Sequence, residues 1–305
     1  MKIKYYTHGE ELTGFDIALK KGTTIIDTLK IPSVVEGKPI SHIATTIGEA
    51  FSKLKGKGIS EIKNVLIEEG ISSISNHAFS NIDIKIDNVC WSASCTVIPA
   101  YCFFASHIES ITGIDFVATI GKGAFALSDV QTFSWPLLCK SIPAECFEGS
   151  PLIEITGTDK VTNIEREAFC GTKLQRFSWP QKCQNIPNDC FRECDCLEQI
   201  DGLEVIINIG DGAFQRTKIK TFCCPASISA TEICLFLSDC EYLEEIKFTG
   251  TIKDIDLECF SWAKNIKRID LTQLGAVNLI NCSTLKGREV RDKVIPPPYY
   301  VTEIN

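Results

Sequence analysis

With 305 residues, 44% of them hydrophobic and 23% charged, the chain is long enough for two compact domains or one extended repeat array, and too apolar for disorder. A net charge of −8 counts against nucleic acid as the main partner, because a phosphate backbone draws stripes of Lys and Arg. The N-terminus has neither the apolar core nor the cleavage site of a signal peptide, and no apolar run approaches the roughly 18 residues of a membrane helix, so membrane insertion is not expected.

In chain order, residues 1–40 carry none of the marks that recur later, and the sequence predicts a capping hairpin or an opening half-repeat there. Residues 41–272 are periodic. An Ala-Phe or Cys-Phe mark recurs at Phe51, Phe79, Phe103, Phe125, Phe147, Phe169, Phe191, Phe214, Phe236 and Phe260, mostly 22 to 24 residues apart. Each unit opens with apolar residues at positions 1, 4 and 6, as in Ile62/Val65/Ile67, Val130/Phe133/Trp135 and Leu243/Ile246/Phe248. Strand alternation puts positions 4 and 6 on one face and 3 and 5 on the other. Ile98, Ile142 and Ile186 follow, each before a proline that suits the first position of a short helical turn. About ten units of one strand and one short return are expected, before residues 273–305 drift into a C-terminal cap and tail.

A longer period overlies the short one. Phe-Ser-Trp-Pro occurs at 133–136 and 177–180, 44 residues apart, and position 6 alternates Trp91, Gly113, Trp135, Gly157, Trp179, Gly202. An indole beside a glycine keeps local volume roughly constant, so the tryptophans are read as core spacers. Most of the 16 cysteines also fall on columns. Cys102, Cys146, Cys190 and Cys259 alternate with Ala before the phenylalanine; Cys95, Cys139 and Cys183 replace a β-branched residue; Cys194 stands in a Ser/Thr column, with Cys240 nearby. Cysteine here reads as a small hydrophobe. Same-column cysteines lie two strand spacings apart, about 9.6 Å, beyond the roughly 7 Å a disulfide allows. Mixed pairs such as Cys194 with Cys190 stay open, and mostly free thiols favour a reducing compartment.

These marks resemble the BspA-like (treponemal-type) leucine-rich repeats, whose units carry Ile-Gly/Pro-x-x-Ala/Cys-Phe and an L-x-x-I strand. The resemblance spans roughly residues 29–272, and the Phe-Ser-Trp-Pro and Cys-Phe variant is similar to copies found in trichomonad protozoa. The expected fold is an α/β repeat solenoid, with a curved parallel β-sheet and short helical or irregular returns. The resemblance implies a surface antigen or adhesin; the N-terminus and the thiols point instead to an intracellular scaffold, such as part of a cytoskeletal assembly.

Catalytic signatures are missing from the sequence. His8, His42, His77 and His107 share no local motif with a nucleophile, and no phosphate loop, nucleophile elbow or dinucleotide fingerprint occurs. No enzyme activity, cofactor or metal is therefore expected. Solenoids commonly bind on the concave strand face. The residues expected there are Ser110, Thr112, Thr132, Ser134, Glu154, Thr156, Arg176, Ser178, Gln199, Asp201, Thr221, Glu245, Lys247, Arg268 and Asp270, with cross-strand pairs Glu154/Arg176, Glu245/Arg268 and Lys247/Asp270. The competing reading is a plain solvated sheet face; the functional one is a polar platform for a protein or a glycan. In the tail, Pro296, Pro297 and Tyr299 form Pro-Pro-x-Tyr, which resembles a WW-domain ligand. Asn281-Cys-Ser283 is a glycosylation sequon.

Overall fold

The computed structural model describes residues 2–228, 232–250, 252, 254–260, 263–281, 290–296 and 301–304, the side chains of 234, 258, 259 and 301–304 excepted. The chain forms two compact units, Met1–Lys160 and Val161–Asn305. Both are built of stacked parallel strands, a leucine-rich-repeat β-solenoid with few helices.

The first unit opens with an antiparallel hairpin, Lys2–His8 and Glu11–Ala18. Its second strand pairs in parallel with His42–Ile43, which pairs with Ser73–Ile74. The main ladder runs Ile25–Ile31, Glu61–Ile67, Lys85–Cys90 and Ile111–Thr112, with Leu29, Val65, Val89 and Ile111 in register. Thr132–Ser134 and Glu154–Thr156 form a separate parallel pair. In the second unit Arg176–Ser178 pairs with Gln199–Asp201, and Thr221–Cys224, Glu245–Thr249, Arg268–Gln273 and Val294–Ile295 make a four-stranded ladder. A second ladder there joins Asp254–Asp256, Val277–Ile280 and Val301–Ile304.

The phenylalanine marks form the core. Phe79, Phe103, Phe125 and Phe147 stack with ring centroids 5.5 Å apart and near-parallel planes. Phe169, Phe191 and Phe214 do the same in the second unit, at 5.4 and 5.7 Å. A repeat of 22 to 24 residues returns one ring to the same place each turn, and full burial of each adds about 1.5–3 kcal/mol. At the N-terminal end Phe15 of the hairpin meets Phe51 edge-on at 5.2 Å, so the hairpin covers the first ring. Trp91, Trp135 and Trp179 are buried, each donating its indole N–H to the carbonyl of Cys95, Cys139 or Cys183 at 2.8–3.0 Å.

Most returns are not the helical turns anticipated from the prolines. Ile47–Gly56 is the one long helix among the described residues; Thr158–Lys160, Leu203–Val205, Ile233–Phe236 and Leu257–Phe260 are single short turns. Elsewhere the residues two before and two after the phenylalanine have positive φ: Tyr101 and Ala105, Glu145 and Gly149, Asp189 and Glu193. A left-handed residue cannot continue a right-handed helix. The alternation instead turns every second amide toward the following repeat. The N–H groups of Tyr101, Phe103 and Ala105 donate to the carbonyls of Lys122, Ala124 and Ala126 at 2.8–2.9 Å, and those of Asp189, Phe191 and Glu193 to Asp211, Ala213 and Gln215.

Candidate functional site

Along each strand, positions 4 and 6 point into the core while 3 and 5 line an exposed face. In the first unit that face carries Ser110, Thr112, Thr132, Ser134, Glu154 and Thr156, all exposed or half-buried. Thr132 is in register with Glu154 and Ser134 with Thr156, and the Ser134 and Thr156 hydroxyls lie 3.2 Å apart. Ser110 donates to the Asp87 carbonyl at 2.7 Å, and the Asn88 amide donates to Thr112 Oγ1 at 3.0 Å.

The second unit's face is charged and largely satisfies itself. Arg176 is in register with Gln199 and Ser178 with Asp201, and Gln199 Nε2 donates to Asp201 at 2.7 Å. Thr221 is exposed at the edge of the four-stranded ladder. Arg268 pairs with Glu245 at 3.0 Å, as expected. The anticipated Lys247–Asp270 pair gives way to pairs along each strand: Lys247 with Glu245 at 3.3 Å and Arg268 with Asp270 at 2.7 Å. Asp270 is only 9% exposed. Burial works against its charge, but hydrogen bonds from Thr272 and Arg268 outweigh it and hold the carboxyl below the usual range.

The Trp/Gly alternation turns out to set the spacing of the strands. Gly113 has φ +77°, and a Cβ there would lie 2.7 Å from the Trp91 carbonyl oxygen. Gly157 against Trp135 and Gly202 against Trp179 repeat the arrangement at 2.8 Å. Each glycine therefore lets its strand close on the preceding tryptophan strand, where Trp91 N donates to the Thr112 carbonyl at 2.8 Å. The side-chain volume argument missed this backbone requirement. The other flank stays open. Among the described residues, no backbone hydrogen bond joins 110–114 to 131–135, so the polar groups of Ile111, Gly113, Thr132 and Ser134 border an unpaired seam.

That seam is a groove of about 780 Å³, lined by Ser110–Asp115, Thr132–Leu137, Glu154 and Thr156. Six of the expected binding residues converge on it: Ser110, Thr112, Thr132, Ser134, Glu154 and Thr156. Sequence reasoning overlooked Asp115 and Leu137, which lie in the turns after the strands, and the adjoining Phe116 and Leu138. Phe116, Leu137 and Leu138 are 58%, 61% and 51% exposed. The corresponding turns carry Ala93-Ser94, Asp159-Lys160 and Gln181-Lys182, so an apolar pair against that polar column was the available signal.

Elsewhere, His42 sits in register between Glu11 and Ser73, with Nδ1 2.7 Å from Ser73 Oγ and Nε2 2.9 Å from Ser75 Oγ and 3.5 Å from Glu11, tying the hairpin to the following repeats. The cysteines whose side chains are described are free thiols. Burial pushes Cys102, Cys146 and Cys190 well up, Cys183 to about 11, and Cys194 and Cys224 to about 12. Cys194 and Cys240 do more than fill space: their thiols donate to the Phe169 and Phe214 carbonyls at 3.0 Å, the partners used by Thr172 and Thr217. No group of three or more His, Cys, Asp or Glu among the described residues could hold a metal ion, and no described helix is long and apolar enough to cross a membrane. Pro297 and Tyr299 of the Pro-Pro-x-Tyr motif, Cys282 and Ser283 of the sequon, and the Cys259 side chain lie outside the described residues.

Comparison with solved structures places the chain beside a leucine-rich repeat protein from Bacteroides ovatus, with a TM-score of 0.66 and 17% identity over 100% of this chain and 89% of that one. A leucine rich cell surface protein from Faecalibacterium prausnitzii aligns with a TM-score of 0.51 and 18% identity over 98% of this chain and 94% of that one. No curated protein matches. The model of the BspA type leucine rich repeat region matches residues 44–154, 118–239 and 162–289. With ring column, strand ladders and family model in agreement over most of its length, the chain belongs to the BspA-type leucine-rich repeat family.

Proposed function

We propose that the protein is a non-catalytic scaffold that binds a protein partner on the exposed strand face, centred on the seam groove of the first unit. The observation that carries this reading is the lapse in strand pairing between Ile111–Thr112 and Thr132–Ser134, which leaves main-chain donors and acceptors beside a row of hydroxyls at the surface. Interfaces recruit such unpaired edges through main-chain hydrogen bonds. Photo-crosslinking residues at Thr132 and, as a control, at Asn185 on a return strand test it in extracts of cells that make the protein. A discrete protein adduct is expected from position 132 alone; equal labelling at both positions, or none at 132, rejects the reading.

Two cellular settings follow from different observations. Buried thiols suit a reducing compartment and an intracellular, cytoskeleton-type assembly. The cell-surface designation of the Faecalibacterium protein favours a surface antigen or adhesin. Antibody staining separates them: signal on unpermeabilised cells supports the surface setting, and signal only after permeabilisation the internal one.

A further inference from the structure

We propose that the seam groove takes an extended polypeptide segment carrying a basic side chain next to an apolar one, an inference that rests on the interaction reading above. Three independent features of the groove agree. Its walls include Ile111, Gly113, Thr132 and Ser134, whose strands form no backbone hydrogen bond with each other across the seam, an arrangement that suits an extended main chain better than a folded surface. Its only charged lining residues are Asp115 and Glu154, and no hydrogen bond or ion pair ties either side chain among the described residues of that unit. The carboxylates of the second unit's face, Glu245 and Asp270, are by contrast already held by Arg268 and Lys247. The charge left over is negative, and it selects a cation.

The apolar half of the specificity comes from the rim. Phe116, Leu137 and Leu138 stand exposed where neighbouring repeats have Ser94, Asp159 or Lys182. An apolar side chain set on this shelf is desolvated, while the next residue along an extended segment points the other way, toward the hydroxyls and carboxylates. The segment is thus read at two alternating positions.

The test uses the full chain and three fluorescein-labelled ten-residue peptides, alternating Leu/Lys, Leu/Glu and Ser/Lys, followed by fluorescence anisotropy. The Leu/Lys peptide is expected to bind at least about tenfold more tightly than either other, a difference of about 1.4 kcal/mol. Asp115→Lys with Glu154→Lys should weaken it about tenfold, as should Leu137→Ser with Leu138→Ser, while Glu204→Lys on the second unit leaves it unchanged. All of these side chains are exposed, so unfolding curves should match the wild type. Equal binding of Leu/Lys and Ser/Lys peptides, or equal loss from Glu204→Lys, overturns the proposal. Competition distinguishes it from the broader reading. Excess Leu/Lys peptide should abolish the adduct at position 132; an adduct that survives rejects the peptide class and keeps the interaction site. Groove-dependent peptide binding without any adduct keeps the peptide site and rejects the partner reading.

Discussion

The exposed strand faces of the two units are built on one pattern and end up with opposite chemistry. In the first, hydroxyls of Ser110, Thr112, Thr132, Ser134 and Thr156 border a gap in the ladder, with Asp115 and Glu154 beside them. In the second, the ladder also lapses, between Gln199–Asp201 and Thr221–Cys224, but Thr221–Cys224, Glu245–Thr249 and Arg268–Gln273 pair in turn, and Glu245, Lys247, Arg268 and Asp270 close on one another. Equivalent positions in a repeat therefore do not make equivalent surfaces. What counts is whether neighbouring strands use up each other's hydrogen-bonding groups and charges.

The largest expected effect acts on what both units share, the thiol-lined core. A thiol whose folded value is raised is still protonated when the unfolded chain has already lost its proton, so stability is full below about pH 9 and falls above it. Cys194, raised to about 12, should alone cost roughly 1.4 kcal/mol per pH unit between about pH 9 and 12. Urea unfolding at pH 8 and pH 10.5 checks this; unchanged midpoints would contradict the buried thiols. Gly113→Ala should come next. It forces a side chain into a left-handed backbone and against the Trp91 carbonyl, and a loss of about 2–3 kcal/mol is expected from chemical denaturation. A cost near zero would mean that the tight flank of the seam is not needed.

Smaller effects separate the two faces. Glu245→Gln removes the acceptor shared by Lys247 and Arg268 and should destabilise by about 0.5–1 kcal/mol at low salt, with the difference shrinking at high salt. Thr132→Ala with Ser134→Ala should change stability by under about 0.5 kcal/mol, because both side chains are exposed. If the threonine–serine pair proved the more costly, the first face would be structural and the comparison would be reversed.

Much of this was legible in the sequence, and what escaped it has a common cause. The ring column, the buried tryptophans and the two faces of each strand depend on one residue's place within its own repeat, so spacing reveals them. The seam depends on the relation of one repeat to the next: the left-handed Gly113, the close approach to Trp91 and the unpaired flank toward Thr132. The returns hid their conformation similarly, since Glu145, Glu167 and Asp189 take positive φ where only Gly123 and Gly212 advertise it. The residues expected to bind were drawn from positions 3 and 5 alone, whereas Asp115 and Leu137 reach the groove from the turns.

The alternating returns give each unit a direction. Every second amide points to the following repeat and the matching carbonyls accept from the preceding one, so a stack begins with orphan acceptors and finishes with orphan donors. Thr45 meets one such acceptor, donating to the Asn76 carbonyl at 3.1 Å just before the helix Ile47–Gly56. A lengthened version of this protein could gain whole repeats in the same orientation at any junction, like links added to a one-way chain. Exchanging the two ends would set acceptor against acceptor, so terminal segments are the parts that shuffling cannot move.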